Sequence, residues 1–592
     1  MKVLLLHPED TPHAGPWRDS RWDRVFDLGL AGTESYAHWN RILQCPIENL
    51  SSLRRGKRDF RRMWDLQAAG CGRLVDDYGL DWWEILSILL IEQLESVMLL
   101  ERLAEILSTD EVFISRPGVQ ATVLQQLLHG RLQVFPPKHN HPLSNLARYF
   151  SVARKLSLRQ IADVCCDKYD PAQQLRARFS RAPKASDHPV VLLPTAYVNV
   201  SRTGIAYANM LPNQSFLLVS TRRSGWIEKL PPNVSPAWLS SYVVADDLSA
   251  EIADLEIRWR GLWSDLLELP EFNILNAIGS FYGFAQRLRE GLSVRDAWRN
   301  VLDIEPVQAV LCADDTNPHT RIPLLLARER GLPNIACHHG ALDGYRAFKR
   351  RQADLILAKG KMEQDYLVQS CGVPANQVEI GAPSLSEAYE ASKLKSGGTN
   401  TRTQWSRHDL RPQILFISEP YELGNARAEE FYRDILPSLA EIALLTGRRL
   451  IVKLHPYESK SERAAIVARV LSPAQMEVTQ VVAGPLTETL LDATWFAVTV
   501  LSTVTTECAV RAIPCFVCKW LEYSFYGYID QFIRFGVAIG LNDPSEIKNV
   551  PQYLDNYAAD PGAPANCLQP ISTDRLRSLL ALASKACTAA AS

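Results

Sequence analysis

The chain places a lysine, a histidine and clustered hydroxyls where they could together bind a phosphate. Lys453 and His455 end one apolar run, Pro456 follows at once, and a second apolar run leads into Ser502 and Thr503. Short apolar runs of this kind are typical of buried strands in a parallel sheet. Open α/β sheets bind their ligands at the carboxyl ends of such strands. The two segments therefore predict a pocket for a monophosphate or a diphosphate.

The hydroxyl cluster is followed by a helix-like segment that contains Glu507. Hydroxyls and backbone N–H groups at the start of a helix attract anions, and Glu507 could reach a ribose from there. The same residues also fit an ordinary helix cap. His455 likewise fits a structural role at the end of a strand. From the residues alone, both interpretations stay open.

Two polar pairs, Asp314-Asp315 and His338-His339, follow predicted strands earlier in the chain. A carboxylate or an imidazole at such a sheet edge could take a proton from a substrate hydroxyl. Asp315 and His339 are therefore the candidates for a general base, and the spacing does not separate them from Asp314 and His338. Both pairs could instead cap loops and turns.

Further candidates lie after other predicted strands. Asp10 follows the first strand and is a rival base, while Asn199 and Arg202 follow a strand near 190 and could bind sugar hydroxyls. With His338, these three residues form the predicted acceptor-binding set. Each of them also fits a polar surface loop.

The elements that must position these residues alternate between strands and helices, which predicts parallel βαβ units. The predicted strands from 188 onward are 189–193, 215–220, 306–312, 333–337, 354–357, 377–380, 413–417, 449–456, 495–500 and 514–517. Nearer the amino terminus, strands are predicted at 3–6, 24–28 and 111–115.

The expected fold class is α/β, with two Rossmann-like domains facing a cleft. We expect an amino-terminal domain at 1–390 with a helical insertion near 84–180, a linker at 391–410 and a carboxyl-terminal domain at 411–592. The linker is indicated by the Ser-Gly-Gly-Thr-Asn-Thr sequence that starts at Ser396. A length of 592 residues suits two large domains rather than one core.

Composition narrows the class of protein further. A net charge of −2 offers no global electrostatic basis for binding nucleic acid. The 12 cysteines show no zinc or disulfide spacing, which predicts reduced thiols in the cytoplasm. No apolar run reaches the roughly 18 residues that cross a bilayer. A basic run at 54–62 is either a solvated face or a peripheral contact with an anionic membrane surface.

The Lys-Leu-His-Pro sequence that starts at Lys453, followed by Ser502-Thr503, Glu507 and Ile513-Pro514, resembles the HP and SS/ST motifs of bacterial GT-B glycosyltransferases. These enzymes use CMP-linked acidic sugars in capsule and lipopolysaccharide assembly. The resemblance covers mainly 300–520, where the helix, Gly-Leu-Pro, strand and His-Gly order also looks like surface-polysaccharide glycosyltransferases. A looser resemblance extends to CDP-glycerol glycerophosphotransferases and UDP-GlcNAc 2-epimerases.

This resemblance implies a GT-B fold in which the amino-terminal domain binds the acceptor and the carboxyl-terminal domain binds the donor. It implies that the HP histidine and the Ser/Thr motif hold the donor phosphate, and that no metal or cofactor is needed. We expect a glycosyltransferase whose preferred donor is a CMP-linked acidic sugar such as Kdo or sialic acid, and whose acceptor is a glycan or glycolipid. The alternatives are a UDP-sugar or CDP-glycerol donor, a UDP-GlcNAc 2-epimerase-like enzyme, or a non-catalytic GT-B-like scaffold.

Overall fold

The computed structural model is an α/β protein whose described residues form three parallel sheets. Outside the described residues lie 8–9, 11–14, 16, 19, 29–35, 54–56, 136–185, 223–224, 226, 228, 244–247, 341–345, 347, 384–410, 420–427, 456–457, 522–527, 557–561 and 582–592.

The strands are labelled in chain order. They are β1 (Lys2–Leu6), β2 (Arg24–Asp27), β3 (Ile47–Asn49), β4 (Glu111–Ile114), β5 (Leu132–Val134), β6 (Val190–Thr195), β7 (Ser215–Ser220), β8 (Val234–Trp238), β9 (Val307–Cys312), β10 (Asn334–Ala336), β11 (Leu355–Ala358), β12 (Val378–Ile380), β13 (Gln413–Ile417), β14 (Arg449–Lys453), β15 (Thr479–Val482), β16 (Thr494–Thr499), β17 (Cys515–Cys518) and β18 (Ile539–Leu541).

Helices connect these strands. The α-helices are Tyr36–Leu43, Lys57–Ala68, Trp82–Ser87, Ile91–Ile106, Val119–Leu127, Val198–Asn209, Ser249–Leu266, Pro270–Ala277, Phe284–Ile304, Pro318–Glu329, Lys361–Asp365, Ala428–Thr446, Lys460–Val470, Pro473–Glu477, Glu488–Asp492, Val504–Val510, Tyr528–Arg534, Val550–Asn556, Ala563–Cys567 and Thr573–Ala581. Short 3₁₀ helices are Leu50–Leu53, Ile88–Leu90, Leu239–Tyr242, Ala375–Gln377, Lys519–Leu521 and Pro544–Asn549, and Tyr366–Ser370 is a π-helical turn. None of the helices in the described part of the chain is long and apolar enough to span a bilayer.

All three sheets share one strand order. The six-stranded sheet runs β15-β14-β13-β16-β17-β18, the seven-stranded sheet β8-β7-β6-β9-β10-β11-β12, and the five-stranded sheet β3-β2-β1-β4-β5. Counted from its own first strand, each sheet therefore begins 3-2-1-4-5, which is the Rossmann order. The order reverses between β1 and β4, between β6 and β9, and between β13 and β16. These three positions are the topological switch points.

The central strands are apolar on both faces because helices cover the sheets. All six residues of β6 are buried, and all six of β16 are buried as well. A parallel strand covered on both sides gives a continuous apolar run rather than an alternating one. This explains why the sequence predicted these strands and why the first polar residues after them mark the carboxyl edge of each sheet.

The chain divides into two compact units, and this division groups the sheets. The first unit contains Met1–Arg62, Gln93–Pro137 and Lys393–Leu568, and so holds the five- and six-stranded sheets. The second contains Met63–Glu92, Lys138–Ser392 and Gln569–Ser592, and holds the seven-stranded sheet.

The α/β class with Rossmann-like sheets is confirmed. The predicted boundaries stay a prediction, and the linker at 391–410 lies outside the described residues. Within the predicted domain 1–390, strands β1–β5 build a sheet of their own, which belongs to the first unit. Within the predicted helical insertion, the helices around 82–106 are followed by the short strands β4 and β5.

In the second unit, helix Phe284–Ile304 approaches the indole of Trp82 at Gly291. A Cβ atom at Gly291 would lie 2.3 Å from Cζ3 of the buried Trp82 ring. Glycine suits this approach because the Trp82 ring is fully buried and its Nε1 donates to Asp76 at 2.9 Å, which holds the ring in place. Gly261, on helix Ser249–Leu266, has no atom within 4 Å of the corresponding position.

We predict that Gly291→Ala destabilises the second unit by about 1–3 kcal/mol through overpacking. The matched substitution Gly261→Ala should instead stabilise by about 0.5–1 kcal/mol, since alanine is the better helix former. Thermal unfolding followed by tryptophan fluorescence measures both effects. Equal effects of the two substitutions would contradict the packing assigned to Gly291.

Candidate functional site

The six-stranded sheet brings the two predicted phosphate-binding segments to one edge. His455 follows β14 and Ser502-Thr503 follow β16, and both strands are parallel neighbours of β13. Because adjacent strands lie about 4.8 Å apart, the two segments start about 10 Å from each other. They flank the switch point, where Rossmann sheets bind their ligands.

The turn that carries His455 is held by one buried carboxylate. Glu458 accepts hydrogen bonds from the backbone N of His455 at 2.7 Å, from Oγ of Ser418 at 2.8 Å and from Nε of Arg463 at 2.8 Å. Burial, with a smaller contribution from Lys453, lowers the pKa of His455 below its ordinary value. The half-buried imidazole is therefore neutral near pH 7 and can donate or accept one hydrogen bond at each nitrogen.

Lys453 is the last residue of β14. The side chain is buried, and its Nζ donates to the backbone oxygen of Leu454 at 2.6 Å. Burial lowers the pKa of Lys453, partly offset by Glu458. Its ammonium group thus contributes positive potential to the edge of the sheet from beneath the surface.

The segment after β16 is a short polar turn. Oγ of Ser502 accepts from the backbone N of Val504 at 3.3 Å, and Oγ1 of Thr506 donates to the backbone oxygen of Thr503 at 2.6 Å. The following helix, Val504–Val510, has seven residues and no side-chain cap. An anion at this turn would therefore have to be bound by side-chain and loop donors rather than by the helix.

Glu507 lies on this short helix with its side chain partly exposed. It forms a salt bridge with Arg511 at 2.7 Å, one turn further along the helix. A ribose hydroxyl would have to share the carboxylate with this arginine. The ribose role stays a prediction, and Pro456 lies outside the described residues.

Glu419, which was not among the predicted site residues, lies at the switch point itself. Its carboxylate is 5% exposed and accepts from Oγ1 of Thr499 at 3.1 Å and from the backbone N of Leu501 at 2.6 Å. It thereby joins the end of β13 to the end of β16. The signal was present, because Ser418-Glu419 directly follow the correctly predicted strand 413–417.

In the second unit, Asp314 and the histidine pair meet at the carboxyl edge of the seven-stranded sheet. The hydroxyl of Tyr197 donates to Oδ2 of Asp314, and the backbone N of Thr316 donates to Oδ1 at 2.9 Å. The ring of Tyr197 meets the His339 ring edge-on with centroids 5.2 Å apart, and the His338 and His339 rings are 5.0 Å apart. A buried carboxylate, a phenol and two imidazoles thus form one cluster beside the β6–β9 switch point.

Asp315, the first choice for a general base, has a different environment from Asp314. Its buried carboxylate is bound at both oxygens by Arg346, at 2.7 and 2.8 Å, and by Nζ of Lys349 at 2.9 Å. Although burial acts to raise it, the pKa of Asp315 lies well below its ordinary value because these two cations outweigh the burial. A carboxylate held in this way is a very weak base. The contacts argue against Asp315 as the general base and leave His339 and Asp314.

The cluster also contains a possible set of metal ligands. One ligand atom each from Asp314, His338 and His339 lies within 4.8 Å of the others. However, Nδ1 of His338 accepts from the backbone N of Gly340 at 3.2 Å, so the proton of a neutral ring is on Nε2. Histidines that bind metals normally donate from their second nitrogen instead. The two cations on the neighbouring Asp315 also oppose a divalent ion. The predicted independence from metal stays a prediction.

The predicted acceptor set is divided between the two units. Asp10 belongs to the first unit, where its buried carboxylate accepts from the backbone N of His7 at 2.7 Å and from Nε of Arg116 at 2.9 Å. These contacts give Asp10 a structural role in joining the ends of β1 and β4. Asn199 and Arg202 are exposed on helix Val198–Asn209 of the second unit.

Comparisons with known proteins identify similar folds only. No protein-family model matches the chain, and a search of curated proteins found no match. Solved structures similar to this one include the S. aureus MnaA–UDP co-structure, 12% identical with a TM-score of 0.40, covering 66% of this chain and 95% of that one. The UDP-GlcNAc 2-epimerase from Methanocaldococcus jannaschii is 13% identical with a TM-score of 0.40, covering 66% and 99%.

A variant of the wall teichoic acid polymerase TagF is a third similar structure. It is 10% identical with a TM-score of 0.38, and the match covers 74% of this chain and 98% of that one. At these identities and TM-scores, the likeness carries no conclusion about activity.

We predict that Asp315→Asn destabilises the second unit by about 3–5 kcal/mol, because Arg346 and Lys349 would stay buried without a counter-charge. Asp303→Asn, which removes an exposed pair with Arg330, should change stability by less than about 1 kcal/mol.

Since the folded-state pKa of Asp315 is lowered, its contribution is present above its ordinary pKa of about 3.9 and is lost as the pH falls below that value. Urea unfolding at neutral and acidic pH measures both effects. A loss no larger than that of Asp303→Asn would contradict the buried ion cluster.

Proposed function

We propose that this protein is a metal-independent glycosyltransferase that uses a nucleotide-activated sugar. One observation carries the proposal. The six-stranded sheet has the Rossmann order, and its strands on either side of the switch strand β13 end in His455 and in Ser502-Thr503. A neutral imidazole, two hydroxyls and a buried ammonium group at this edge suit the phosphate of a nucleotide donor.

These groups support binding of the donor at the first unit. Lys453 supplies positive potential from below, while His455 and the Ser502-Thr503 hydroxyls supply directed hydrogen bonds. As the sugar is transferred, negative charge collects on the departing phosphate, and donors already in place stabilise it. The motif resemblance favours a CMP-linked acidic sugar such as Kdo or sialic acid, with a UDP-sugar or CDP-glycerol as the alternative donor.

The second unit carries the groups that suit the acceptor, a glycan or glycolipid of surface polysaccharide synthesis. His339 takes the proton of the attacking hydroxyl as the new glycosidic bond forms and the bond to the nucleotide breaks. Asp314 and Tyr197 border this imidazole and offer hydrogen-bonding groups to the sugar. Asp315 serves the structure instead, through its two cations.

The donor assignment predicts a selective stabilisation by nucleotides. The panel compares CMP, CDP, UMP, UDP, GDP and ADP. We expect CMP to raise the melting temperature of the full chain the most. At about 100 times its dissociation constant, a ligand stabilises the folded state by about 2.7 kcal/mol. The measurement is a thermal-shift panel on the wild type and on His455→Ala.

The control for this panel is His188→Ala, which removes an exposed histidine of the second unit. The shift should disappear in His455→Ala and persist in His188→Ala. A shift selective for UDP would assign the donor as a UDP-sugar and would leave the assigned fold unchanged. No shift with any of the six nucleotides would overturn the donor site.

The base assignment predicts that binding and transfer can be separated. His339→Asn should leave the nucleotide-dependent thermal shift unchanged and lower kcat by about 10²–10⁴-fold, the usual contribution of a general base. The assay follows acceptor-dependent release of the nucleotide from its sugar donor, with His188→Ala as the control. Wild-type turnover in His339→Asn would exclude His339 as the base.

A further inference from the structure

Strand β13 is followed by two consecutive buried residues, Ser418 and Glu419, at the switch point of the six-stranded sheet. Its neighbours in the sheet are β14 on one side and β16 on the other. The turn with His455 follows the first neighbour, and the turn with Ser502-Thr503 follows the second. Ser418 and Glu419 therefore lie between the two turns that the proposed donor site uses.

Ser418 is bonded to the turn that carries His455. Its backbone N donates to the carbonyl oxygen of Lys453 at 2.9 Å, which extends the β13–β14 pairing by one residue. Its Oγ donates to Oε1 of Glu458 at 2.8 Å, and Oε2 of the same carboxylate accepts from the backbone N of His455 at 2.7 Å. The hydroxyl of Tyr432 lies 2.7 Å from Oγ of Ser418 and restricts its rotation. One buried carboxylate thus links Ser418 to the backbone of His455.

Glu419 is bonded to the segment that leads into Ser502 and Thr503. Its Oε1 accepts from Oγ1 of Thr499 at 3.1 Å and from the backbone N of Leu501 at 2.6 Å. Thr499 is the last residue of β16, and Leu501 directly precedes Ser502. Glu419 thereby fixes the backbone where β16 passes into the polar turn.

The separation of the two turns is thus set through a single peptide unit. Hydrogen bonds weaken steeply when they lengthen or bend, so a phosphate needs its donors at fixed positions. The two turns are far apart in the chain, and their relative position depends on tertiary contacts. Ser418 and Glu419 are joined by one planar peptide, which keeps their Cα atoms about 3.8 Å apart. Each of them holds one turn, and neither turn can shift without breaking its bond.

We propose that Ser418 and Glu419 are positioning residues that fix the His455 turn relative to the Ser502-Thr503 turn and so give the donor site its affinity for a nucleotide phosphate. The link to a nucleotide rests on the proposed function, whereas the fixing of the two turns does not. Glu419 acts through the bonds to Thr499 and Leu501 and not by contact with the ligand. A carboxylate charge beside a phosphate would oppose binding, which agrees with a role as an acceptor for the backbone.

The fixing of the turns is tested on the full chain without any ligand. Hydrogen–deuterium exchange is followed by mass spectrometry of peptides that contain Leu501 or His455. Glu419→Ala should accelerate exchange of the Leu501 N–H by roughly tenfold and leave that of His455 unchanged, because it removes one acceptor only. Ser418→Ala should accelerate exchange at His455 and leave Leu501 unchanged. Wild-type exchange at both positions in both variants would overturn the inference.

The effect on the donor site is tested by calorimetric titration with CMP, or with UDP if the thermal panel selects it. Glu419→Ala should weaken binding roughly tenfold, the effect of one lost hydrogen bond to a charged group. Glu419→Gln should bind at least as tightly as the wild type, since its amide oxygen accepts the same two bonds and carries no charge. Equal losses in the two variants would show that the charge itself is needed, and wild-type affinity in Glu419→Ala would show that the bonds are not. Either result contradicts the proposal.

A matched control comes from the same sheet. Glu546 accepts from the backbone N of Asn542 at 3.0 Å, and Asn542 directly follows β18, away from the switch point. Glu546→Ala therefore removes a comparable bond after an edge strand and should bind the nucleotide as the wild type does. A tenfold loss in this variant too would assign the effect of Glu419→Ala to general destabilisation and would overturn the positioning role.

A combined variant separates action through the turn from contact with the ligand. In a chain that already carries Ser502→Ala and Thr503→Val, Glu419→Ala should weaken binding by less than about threefold, because the hydroxyls that it positions are gone. A further tenfold loss there would mean that Glu419 acts on the ligand directly, against the inference. If the wild type bound none of the nucleotides, the proposed function would fail, and the exchange rates at Leu501 and His455 would still decide whether the two residues hold the turns.

Discussion

The parallel strand order is the constraint on which every candidate site depends. In each sheet, right-handed crossovers carry the chain from the first strand outwards to the second and the third. The next crossover must then return the chain to the other side of the first strand, where the fourth strand lies. The two segments diverge there and leave a crevice above the carboxyl ends. The strand order puts this switch point between β13 and β16 in the six-stranded sheet, and between β6 and β9 in the seven-stranded sheet. Polar residues that directly follow these strands therefore lie at the switch point.

Charge neutralisation decides which of these polar residues remain free for chemistry. In the second unit, Glu84 binds the side chain of Arg321 and the backbone N groups of Arg350 and Arg351, at 2.8 and 3.0 Å. It thereby fixes the segment whose preceding residues, Arg346 and Lys349, neutralise Asp315. Removing a buried carboxylate from two cations is strongly destabilising, and the same cations take away its basicity. Its neighbour Asp314 binds neutral donors and keeps the capacity to interact with an imidazole or a ligand.

The two sheet edges are complementary in their chemistry. In the first unit, burial keeps His455 neutral beside Lys453, which suits a group that receives the charge of a phosphate through hydrogen bonds. In the second unit, burial lowers the pKa of His319 to about 4, with a smaller contribution from the charge of Arg222. The first edge contains hydroxyls, whereas the second contains a carboxylate and an imidazole pair. The proposed function therefore places phosphate stabilisation and proton removal in different units.

Much of the fold could be predicted because buried parallel strands leave a clear trace in the sequence. The run at 413–417 matches β13, and the run at 215–220 matches β7 residue for residue. The strands β15 and β18, at the two edges of the six-stranded sheet, were not predicted, since they are short and only partly buried. An edge strand packs less apolar surface and gives a weaker pattern.

The sequence by itself determined which residue types follow the central strands. It therefore predicted that histidines, hydroxyls and acids line the carboxyl edges of the sheets. Only the tertiary structure decided their roles. It separated Asp314 from Asp315 through Arg346, which lies 31 residues away along the chain. It also joined Glu419 to Leu501, 82 residues away along the chain. Local periodicity reports which residues are buried, whereas the pKa of a buried group depends on charges that only folding brings near.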